Sequence, residues 1–361
     1  MKVVDVAVAI VTFRSARLTI DCLRSIAAER SMSALDIRAI VVDNASGDAP
    51  SIAAAIGENG WWSWVTLVTA PKNGGFAYGN NVALQHACAE GSPRYVHMLN
   101  PDTIVRKGAI GGLFRFLEAH REVGIAGSGL ENPDGSLWQY AFRFPSVLSE
   151  FEEGLRFWLT SHWLRHWAVA WPMTSMAQAV DWVSGASMMI RWSVIDQIGG
   201  FDENYFLYFE ETDFCLRARK AGFSTWYVPE SRVMHIAGQS TNVTAPKDTL
   251  ERLPAYWFES RRRYFAINHG VRYAMITDAL AALAHGLGFL KRVALGRRHQ
   301  GIPHFLTDLL QHSILRPRNR RPATSRIRAT RREQQMPEGF VWRCNDAPCP
   351  SGHSTAIADT N

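Results

Sequence analysis

The feature that most restricts the fold of this chain is an alternation, over its first third, of short apolar runs with longer segments of helical period. The first run is almost continuously apolar and the others are mostly apolar and rich in β-branched residues, which predicts strands that are buried on both faces. Strands that alternate with helices in this way form a mostly parallel sheet with helices on both faces. The predicted strands are Val3–Val11, Asp36–Val42, Trp64–Thr69 and Tyr95–Leu99, and the predicted helices are Leu18–Ala28, Ile52–Ile56, Tyr78–Ala89 and Val105–Arg121.

The remainder of the chain divides into regions of different composition. Residues 131–180 are rich in Trp and Phe without regular alternation, which predicts an irregular, partly helical insertion. We therefore expect an α/β domain over residues 1–245, helices over 246–315 and a largely unstructured basic tail over 316–361. Within the first domain, the pattern after the insertion predicts a strand (Trp182–Ile190), two helices (Arg191–Ile198 and Glu211–Ala221) and a strand (Ser224–Val228).

Composition excludes several classes of protein. Apolar residues make up 47% of the chain and charged residues 20%, which is the balance of a globular protein and not of a disordered one. Eight arginines and no acid lie between Arg316 and Arg332, so the tail favours anionic partners. The tail has no interleaved aromatic residues and no recognition fold, and we expect no nucleic-acid partner, although a nucleic-acid-binding protein remains the alternative of another class.

Cysteines and hydropathy give two further expectations. Cys22, Cys88 and Cys215 are far apart in apolar or helical contexts, which indicates reduced thiols, and Cys344, Cys349 and His353 lack the second ligand pair of a zinc site. The apolar N-terminal run predicts a buried strand and not a signal peptide. The longest apolar stretch, Tyr273–Leu290, is interrupted by Asp278 and His285 and falls short of the ~20 apolar residues of a membrane span.

Polar residues follow two of the predicted strands. Asp43 ends the second strand and Asp102 follows the fourth, and ligands of open α/β sheets bind at such strand ends. Asp43 suits a base or ribose contact, and Asp102 suits a Mg²⁺ or Mn²⁺ ion bound to a diphosphate. The structural alternatives are a helix cap for Asp43 and an Asx-Pro turn for Asp102.

Three other segments are candidates for the same site. Asn73-Gly74-Gly75 precedes a helix and allows close approach of a ligand to the backbone, or is simply a tight turn. Glu210, Glu211 and Asp213 follow a mostly apolar run, so they are candidates for proton transfer, with an acidic helix N-terminus as the alternative. His235 near a strand end is a candidate metal or phosphate contact, and the alternative is a structural histidine.

Taken in order, these segments resemble the family 2 glycosyltransferases, and within them the bacterial rhamnosyltransferase-like branch. The resemblance covers roughly residues 5–241 and rests on VAIVTFRSARLTIDCLRSI, VVDNASGD, NGGFAYGNN, MLNPDTIV, DWVSGASMMIRWSVIDQIGGFDENYFLYFEETDFCLRARKAGF and VMHIAGQST. It implies a GT-A fold, which is a Rossmann-like nucleotide-diphospho-sugar transferase architecture, followed here by C-terminal helices. It also implies an inverting single displacement.

The resemblance implies roles for individual residues. The expected nucleotide-sugar contacts are Thr12, Asp43, Asn73, Gly74, Gly75, Phe76, Asn80, Asp102, Asp181 and Gly185. Asp102 corresponds to the acid of the metal motif, in which an amide, Asn100, replaces the first carboxylate, and His235 corresponds to a second metal contact. Glu210 resembles the catalytic base, and Glu211 and Asp213 are candidates for completing that site.

The function that the resemblance implies is transfer of L-rhamnose from dTDP-rhamnose to a cell-envelope or lipid-linked glycan acceptor, with Mg²⁺ or Mn²⁺ as cofactor. UDP-galactofuranose, UDP-glucose and UDP-GlcNAc are alternative donors. We expect a cytoplasmic protein that contacts the inner face of the plasma membrane through Phe157–Trp171 and Tyr273–Arg298, where Trp and basic residues border apolar ones. The alternative is that both segments pack on the domain or form a homo-oligomer.

Overall fold

The computed structural model of the protein describes residues 3–155, 157, 162–236, 251–296 and 302–320. The strands are β1 (Val6–Thr12), β2 (Ile37–Asp43), β3 (Val65–Thr69), β4 (Tyr95–Leu99), β5 (Thr103–Val105), β6 (Val123–Glu131), β7 (Ala141–Phe142), β8 (Gln178–Val180), β9 (Trp182–Val183), β10 (Ser187–Arg191) and β11 (Ser224–His235). The helices are α1 (Ala16–Met32), α2 (Ala49–Glu58), α3 (Gly75–Ala89), α4 (Ala109–Ala119), α5 (Val147–Leu155), α6 (Trp192–Ile198), α7 (Glu210–Lys220), α8 (Ala255–His269), α9 (Val271–Ala294) and α10 (Phe305–His312).

A single large sheet organises the molecule. Its strand order is β3-β2-β1-β4-β10-β6-β11-β5, and β8 pairs with β11. The first four strands are parallel, β10 runs antiparallel to both β4 and β6, and β6 and β11 are parallel to each other. The predicted α/β architecture is therefore confirmed, and the sheet is parallel in its first half and mixed in its second.

Helices cover both faces of this sheet through close apolar contacts. All seven residues of β1 are buried, as its continuous apolar run predicted. The helix α1 buries Cys22, Leu23 and Ile26 against the sheet. A Cβ atom at Gly79 of α3 would lie 2.5 Å from the Val11 side chain, so glycine lets that helix approach β1.

The main departures from the predicted elements lie beyond the parallel half, where three elements have different bounds and one strand was not predicted. The predicted helix Val105–Arg121 begins only at Ala109, because Thr103–Val105 forms β5. The predicted strand Trp182–Ile190 is two strands, and β11 extends to His235 instead of ending at Val228. The strand β6 was not predicted, because its sequence is rich in glycine, but a Cβ at Gly127 would lie 2.7 Å from Val183. Tertiary packing against a neighbouring strand thus explains a glycine that local propensity disfavours.

A second layer consists of α8, α9 and α10 packed with α5 from the insertion. Arg261 of α8 is almost fully buried and donates to Glu150 of α5 at 2.9 Å and to Asp278 of α9 at 2.5 Å. Asp278 also accepts from the Ser313 hydroxyl and the Ile314 amide. Because removal of one partner would leave buried charge uncompensated, this network fixes the helices relative to one another.

The cysteines in the described part of the chain were expected to be reduced thiols, and the stretch that forms α9 was expected to be too interrupted for a membrane span. Cys22, Cys88 and Cys215 are free, and burial raises the pKa of Cys22 and of Cys215 to about 12, as expected for inert core thiols. By length and composition α9 is able to cross a membrane, and a third of its most apolar window is buried inside the protein. Residues 321–361, with most of the arginine tail and the Cys344, Cys349 and His353 group, lie outside the described residues.

Candidate active site

Two predicted nucleotide contacts lie side by side at the carboxyl ends of β1 and β2. Thr12 and Asp43 are register partners in these parallel strands. The Asp43 carboxylate accepts from the Ser46 amide at 2.8 Å, the Ser46 hydroxyl at 2.6 Å and the Ala49 amide at 3.0 Å. Burial alone would raise the pKa of Asp43, but these hydrogen bonds outweigh it and lower the pKa. Asp43 therefore holds the start of α2 through its hydrogen bond from the Ala49 amide.

The Asn73 turn is held in place by contacts on both sides. The Asn73 side-chain oxygen accepts from the Gly75 amide and from the Asn44 side chain, each at 3.0 Å. Gly75 has a φ of +86°, and a Cβ there would lie 2.0 Å from the Phe206 carbonyl oxygen. That oxygen accepts from the Phe76 amide at 2.9 Å. The turn is thus fixed directly against the segment that precedes Glu210.

Asn80 occupies a different position from the other residues of this motif. It is buried within α3, and its side-chain amide donates to the Phe76 carbonyl one turn earlier at 3.0 Å. Its contact is therefore internal to the helix, and the geometry gives its predicted nucleotide role no support.

Asp102 and His235 meet although they are far apart in sequence. The strand β11 runs antiparallel to β5, which pairs His235 with Thr103. The His235 Nε2 atom lies 3.2 Å from the Asp102 Oδ1 atom and 3.4 Å from the Asn100 side-chain nitrogen. The Trp138 ring covers His235, with centroids 5.0 Å apart.

This pair fits a divalent cation that is shared with a diphosphate. Carboxylate and imidazole together suit Mn²⁺, and an ion bound to phosphates needs few protein ligands. The His235 nitrogen that would bind the ion is Nε2, which faces Asp102, and the Nδ1 atom is buried without a hydrogen-bond partner among the described residues. The described part of the chain contains no group of three or more His, Cys, Asp or Glu residues suited to a metal, so the diphosphate would have to complete the coordination.

Glu210 and Glu211 open α7 after a strained stretch of backbone. Tyr208 and Phe209 both have a φ of +70°, a region that residues with side chains rarely adopt and that is often found at functional sites. The Oε2 atoms of both glutamates are buried and lack a hydrogen-bond partner among the described residues. Burial, followed by the charge of Glu211, raises the pKa of Glu210 well above its ordinary value, and burial raises the pKa of Glu211. Carboxyls with raised pKa values in a buried site are candidates for proton transfer.

Asp213 and Asp181 are engaged in contacts that hold helices together. Asp213 is fully buried and accepts from Arg217 and from Asn268 of α8, each at 2.8 Å. Asp181 accepts from the Phe144 amide and from Arg219, each at 2.9 Å. These contacts account for both carboxylates, and the geometry gives their predicted catalytic and donor-binding roles no support.

The break between β9 and β10 connects the separate parts of the site. The Ala186 carbonyl accepts from the Asn100 amide at 3.1 Å, beside the metal motif. A Cβ at Gly185 would lie 3.2 Å from the Phe76 ring and 4.0 Å from Glu211, and the Gly185 backbone hydrogen-bonds to the Glu211 carboxyl. The Asn73 turn, the Asp102 motif and the acidic start of α7 therefore meet at one edge of the sheet.

The sequence interpretation did not identify Asn44, Asp48 or Trp138 as parts of this site. Asn44 donates to the Asn73 side chain and the Gly75 carbonyl, and Asp48 accepts from the Thr12 hydroxyl at 3.0 Å. The polar run after β2, which includes both residues, was the available signal. No local pattern indicated that Trp138 would cover His235.

Comparisons with known proteins find relatives among the rhamnosyltransferases. The chain is 33% identical over 151 residues to the N-acetylglucosaminyl-diphospho-decaprenol L-rhamnosyltransferase of Mycobacterium tuberculosis, a match that covers 41% of this chain and 48% of the relative. It is 30% identical over 168 residues to the rhamnosyltransferase WbbL of Escherichia coli K12, which covers 45% and 61% of the two chains. The chain thus spans about half the length of the curated relatives it matches.

Structural and family comparisons cover more of the chain. The mannosyltransferase PcManGT of Pyrobaculum calidifontis, solved with GDP-Man and Mn²⁺, superposes with a TM-score of 0.51 at 15% identity, covering 86% of this chain and 79% of that one. This likeness supports the GT-A fold that the sequence resemblance implied. The model of the family described as glycosyltransferase like family 2 matches residues 4–266. The chain belongs to this family.

Proposed function

We propose that this protein is an inverting glycosyltransferase that transfers L-rhamnose from dTDP-rhamnose to a lipid-linked or other cell-envelope glycan. The observation that supports this most directly is the meeting, at the Gly185–Ala186 break, of a cation-binding pair with two buried carboxyls of raised pKa. Sugar transfer from a nucleoside diphosphate requires both elements in one cleft, because the leaving diphosphate gains charge while the acceptor hydroxyl loses a proton.

Asp102 and His235 are the residues that would hold Mg²⁺ or Mn²⁺. When bound, the ion supplies positive charge that stabilises the departing diphosphate. The chain's own contribution is to position the donor, through the Asn73 turn and the strand ends at Thr12 and Asp43, and to bury the site edge from water.

Contacts, and not burial, distinguish the two glutamates as candidates for the base, because the Oε2 atoms of both are buried. The resemblance implied Glu210, but it is Glu211 whose carboxyl hydrogen-bonds to the Gly185 backbone, next to the Ala186 carbonyl that contacts the metal motif. A base has to reach the hydroxyl of a bound acceptor. We therefore assign proton removal to Glu211 and a supporting role to Glu210, whose own pKa is raised by burial and by the charge of Glu211.

The donor and acceptor are inferred from the relatives. Two of them are named as rhamnosyltransferases, and one of these names includes a diphospho-decaprenol lipid. UDP-galactofuranose, UDP-glucose and UDP-GlcNAc remain the rival donors. The decisive experiment incubates the full chain with Mn²⁺, a prenyl-diphosphate-linked N-acetylglucosamine acceptor and each donor separately, with product analysis by mass spectrometry and NMR.

We expect a rhamnosylated product only from dTDP-rhamnose, with inverted anomeric configuration. Transfer from a UDP-sugar alone would replace the donor assignment, and retained configuration would refute the single displacement. If no donor is transferred or cleaved, the enzymatic proposal is wrong. Removal of residues 321–361 should leave sugar transfer intact. If the truncated protein no longer transfers sugar and the tail binds nucleic acid, the alternative of a nucleic-acid-binding protein is favoured.

An enzyme that acts on a lipid-linked acceptor needs a surface that contacts the membrane, and the outer face of α9 is a candidate for this surface. Ile276, Leu283, Leu287 and Leu290 lie on this face, each at least 44% exposed, and Lys291 and Arg292 follow them. Apolar residues bordered by basic ones suit the surface of an anionic bilayer. We propose peripheral membrane contact here. The protein should co-sediment with phosphatidylglycerol vesicles at low salt, and the Leu283→Gln/Leu287→Gln variant should not. A wild-type protein that stays in the supernatant would refute this contact.

A further inference from the structure

The segment Tyr205–Phe209 presents aromatic rings beside the acidic start of α7 that donor binding and proton transfer do not use. Phe206 is 39% exposed, although it lies four residues before the buried Glu210. Its ring centroid lies 5.4 Å from that of Tyr256 at the start of α8, and Tyr256 in turn stacks with Tyr208 at 6.2 Å and 17°. We call Phe206, Tyr208 and Tyr256 the aromatic platform.

The platform is fixed from both sides and is not a loose surface patch. On one side the Phe206 carbonyl accepts from the Phe76 amide of the Asn73 turn. On the other side the Ser260 hydroxyl of α8 donates to the Leu207 carbonyl at 3.0 Å. Tyr208 and Phe209, which connect the platform to Glu210, both have left-handed backbone conformations. Such backbone strain persists only where the surrounding structure enforces it.

We propose that the aromatic platform binds a sugar ring of the acceptor by stacking, which deepens the proposed function and rests on it. The apolar face of a pyranose presents C–H bonds that pack against the electron-rich face of an aromatic ring. Phe206 and Tyr208 directly precede the two glutamates, and the platform contacts the Asn73 turn through the Phe206 carbonyl, so the donor contacts proposed above do not require the Phe206 and Tyr256 rings. Apolar and aromatic side chains are the predominant lining of small-molecule sites.

The test measures acceptor and donor binding in the same sample. Saturation-transfer NMR is recorded on the full chain with dTDP, Mg²⁺ and a panel of methyl glycosides of N-acetylglucosamine, glucose, galactose and rhamnose. We expect Phe206→Ala and Tyr256→Ala to weaken the affinity for the bound glycoside by about 2- to 12-fold, on the scale of one lost stacking contact, and to leave dTDP binding unchanged.

Matched variants separate stacking from simple apolar packing. Phe206→Leu keeps apolar bulk without a ring and should weaken glycoside binding as Phe206→Ala does, whereas Tyr256→Phe should bind within ~2-fold of wild type. Trp62→Ala removes another exposed ring, which lies just before the edge strand β3. This control variant should change neither glycoside binding nor dTDP binding. The proposal is overturned if no glycoside binds the wild type, or if binding survives Phe206→Ala. If the wild-type protein does not bind dTDP, that result counts against the proposed donor site and not against the aromatic platform.

Discussion

The Gly75→Ala substitution tests how tightly the Asn73 turn is joined to the segment before Glu210. Gly75 has a φ of +86°, and a left-handed conformation costs a residue with a side chain about 1–2 kcal/mol. The new Cβ would also lie 2.0 Å from the Phe206 carbonyl oxygen, which forces the two segments apart. Loss of the Phe76–Phe206 hydrogen bond adds about 0.5–1.5 kcal/mol. We expect a total destabilisation of about 1.5–3.5 kcal/mol.

A second glycine provides the control for the backbone contribution. Gly60 has a φ of +68°, and a Cβ at this position would have no atom within 4 Å, so Gly60→Ala bears only the conformational cost. The free energy of unfolding of both variants is measured by urea denaturation. Because the displaced Phe206 carbonyl belongs to the segment that positions Glu210, Gly75→Ala should also lower kcat at least ~10-fold in protein that remains folded. If the two variants lose equal stability and Gly75→Ala keeps full activity, the inferred coupling of the turn to α7 is wrong.

Three further predictions concern the acidic pair and the cation-binding pair. In steady-state kinetics, Glu211→Gln should lower kcat by about 10²–10⁴-fold and leave donor affinity unchanged, and Glu210→Gln should lower kcat less. If Glu210→Gln has the larger effect on kcat, Glu210 is the base. Glu210→Gln should also stabilise the protein at pH 8 relative to wild type, because the pKa of this carboxyl is higher in the folded than in the unfolded state, so wild-type stability falls as pH rises through the folded value. That advantage should disappear below pH 4 in denaturation curves, and an equal difference at both pH values would refute the raised pKa. Asp102→Asn and His235→Ala should each raise the Mn²⁺ concentration for half-maximal activity at least ~10-fold, and an unchanged requirement would place the metal elsewhere.

Much of the parallel half of the fold was predictable, because its signals are local. The strands β1, β2 and β4 are mostly apolar and almost entirely buried, and each ends in or is followed by polar residues that the structure places at one edge of the sheet. The positions of Thr12, Asp43 and Asp102 follow from this rule, since parallel neighbouring strands end together. The second half was less predictable, because β6 and the short strands β5 and β9 exist through pairing with distant segments.

The acidic motif shows the same distinction within a few residues. The sequence grouped Glu210, Glu211 and Asp213 as one cluster, since they lie within four positions. The helix α7 directs them to different surroundings. Asp213 pairs with Arg217 and Asn268, whereas the two glutamates keep carboxyl oxygens that no described residue hydrogen-bonds. Spacing along a chain cannot reveal this, because burial and partners come from helices that are distant in sequence.

The sequence by itself determined the α/β class, the family motifs and the set of polar residues at the strand ends, because periodicity and motif order are written in neighbouring residues. Only the tertiary structure decided that His235 meets Asp102, that the Gly185–Ala186 break joins the donor turn to Glu211, and that Phe206 is exposed beside the site. These contacts depend on the order in which strands pair in the sheet, which arises from long-range packing and not from local propensity.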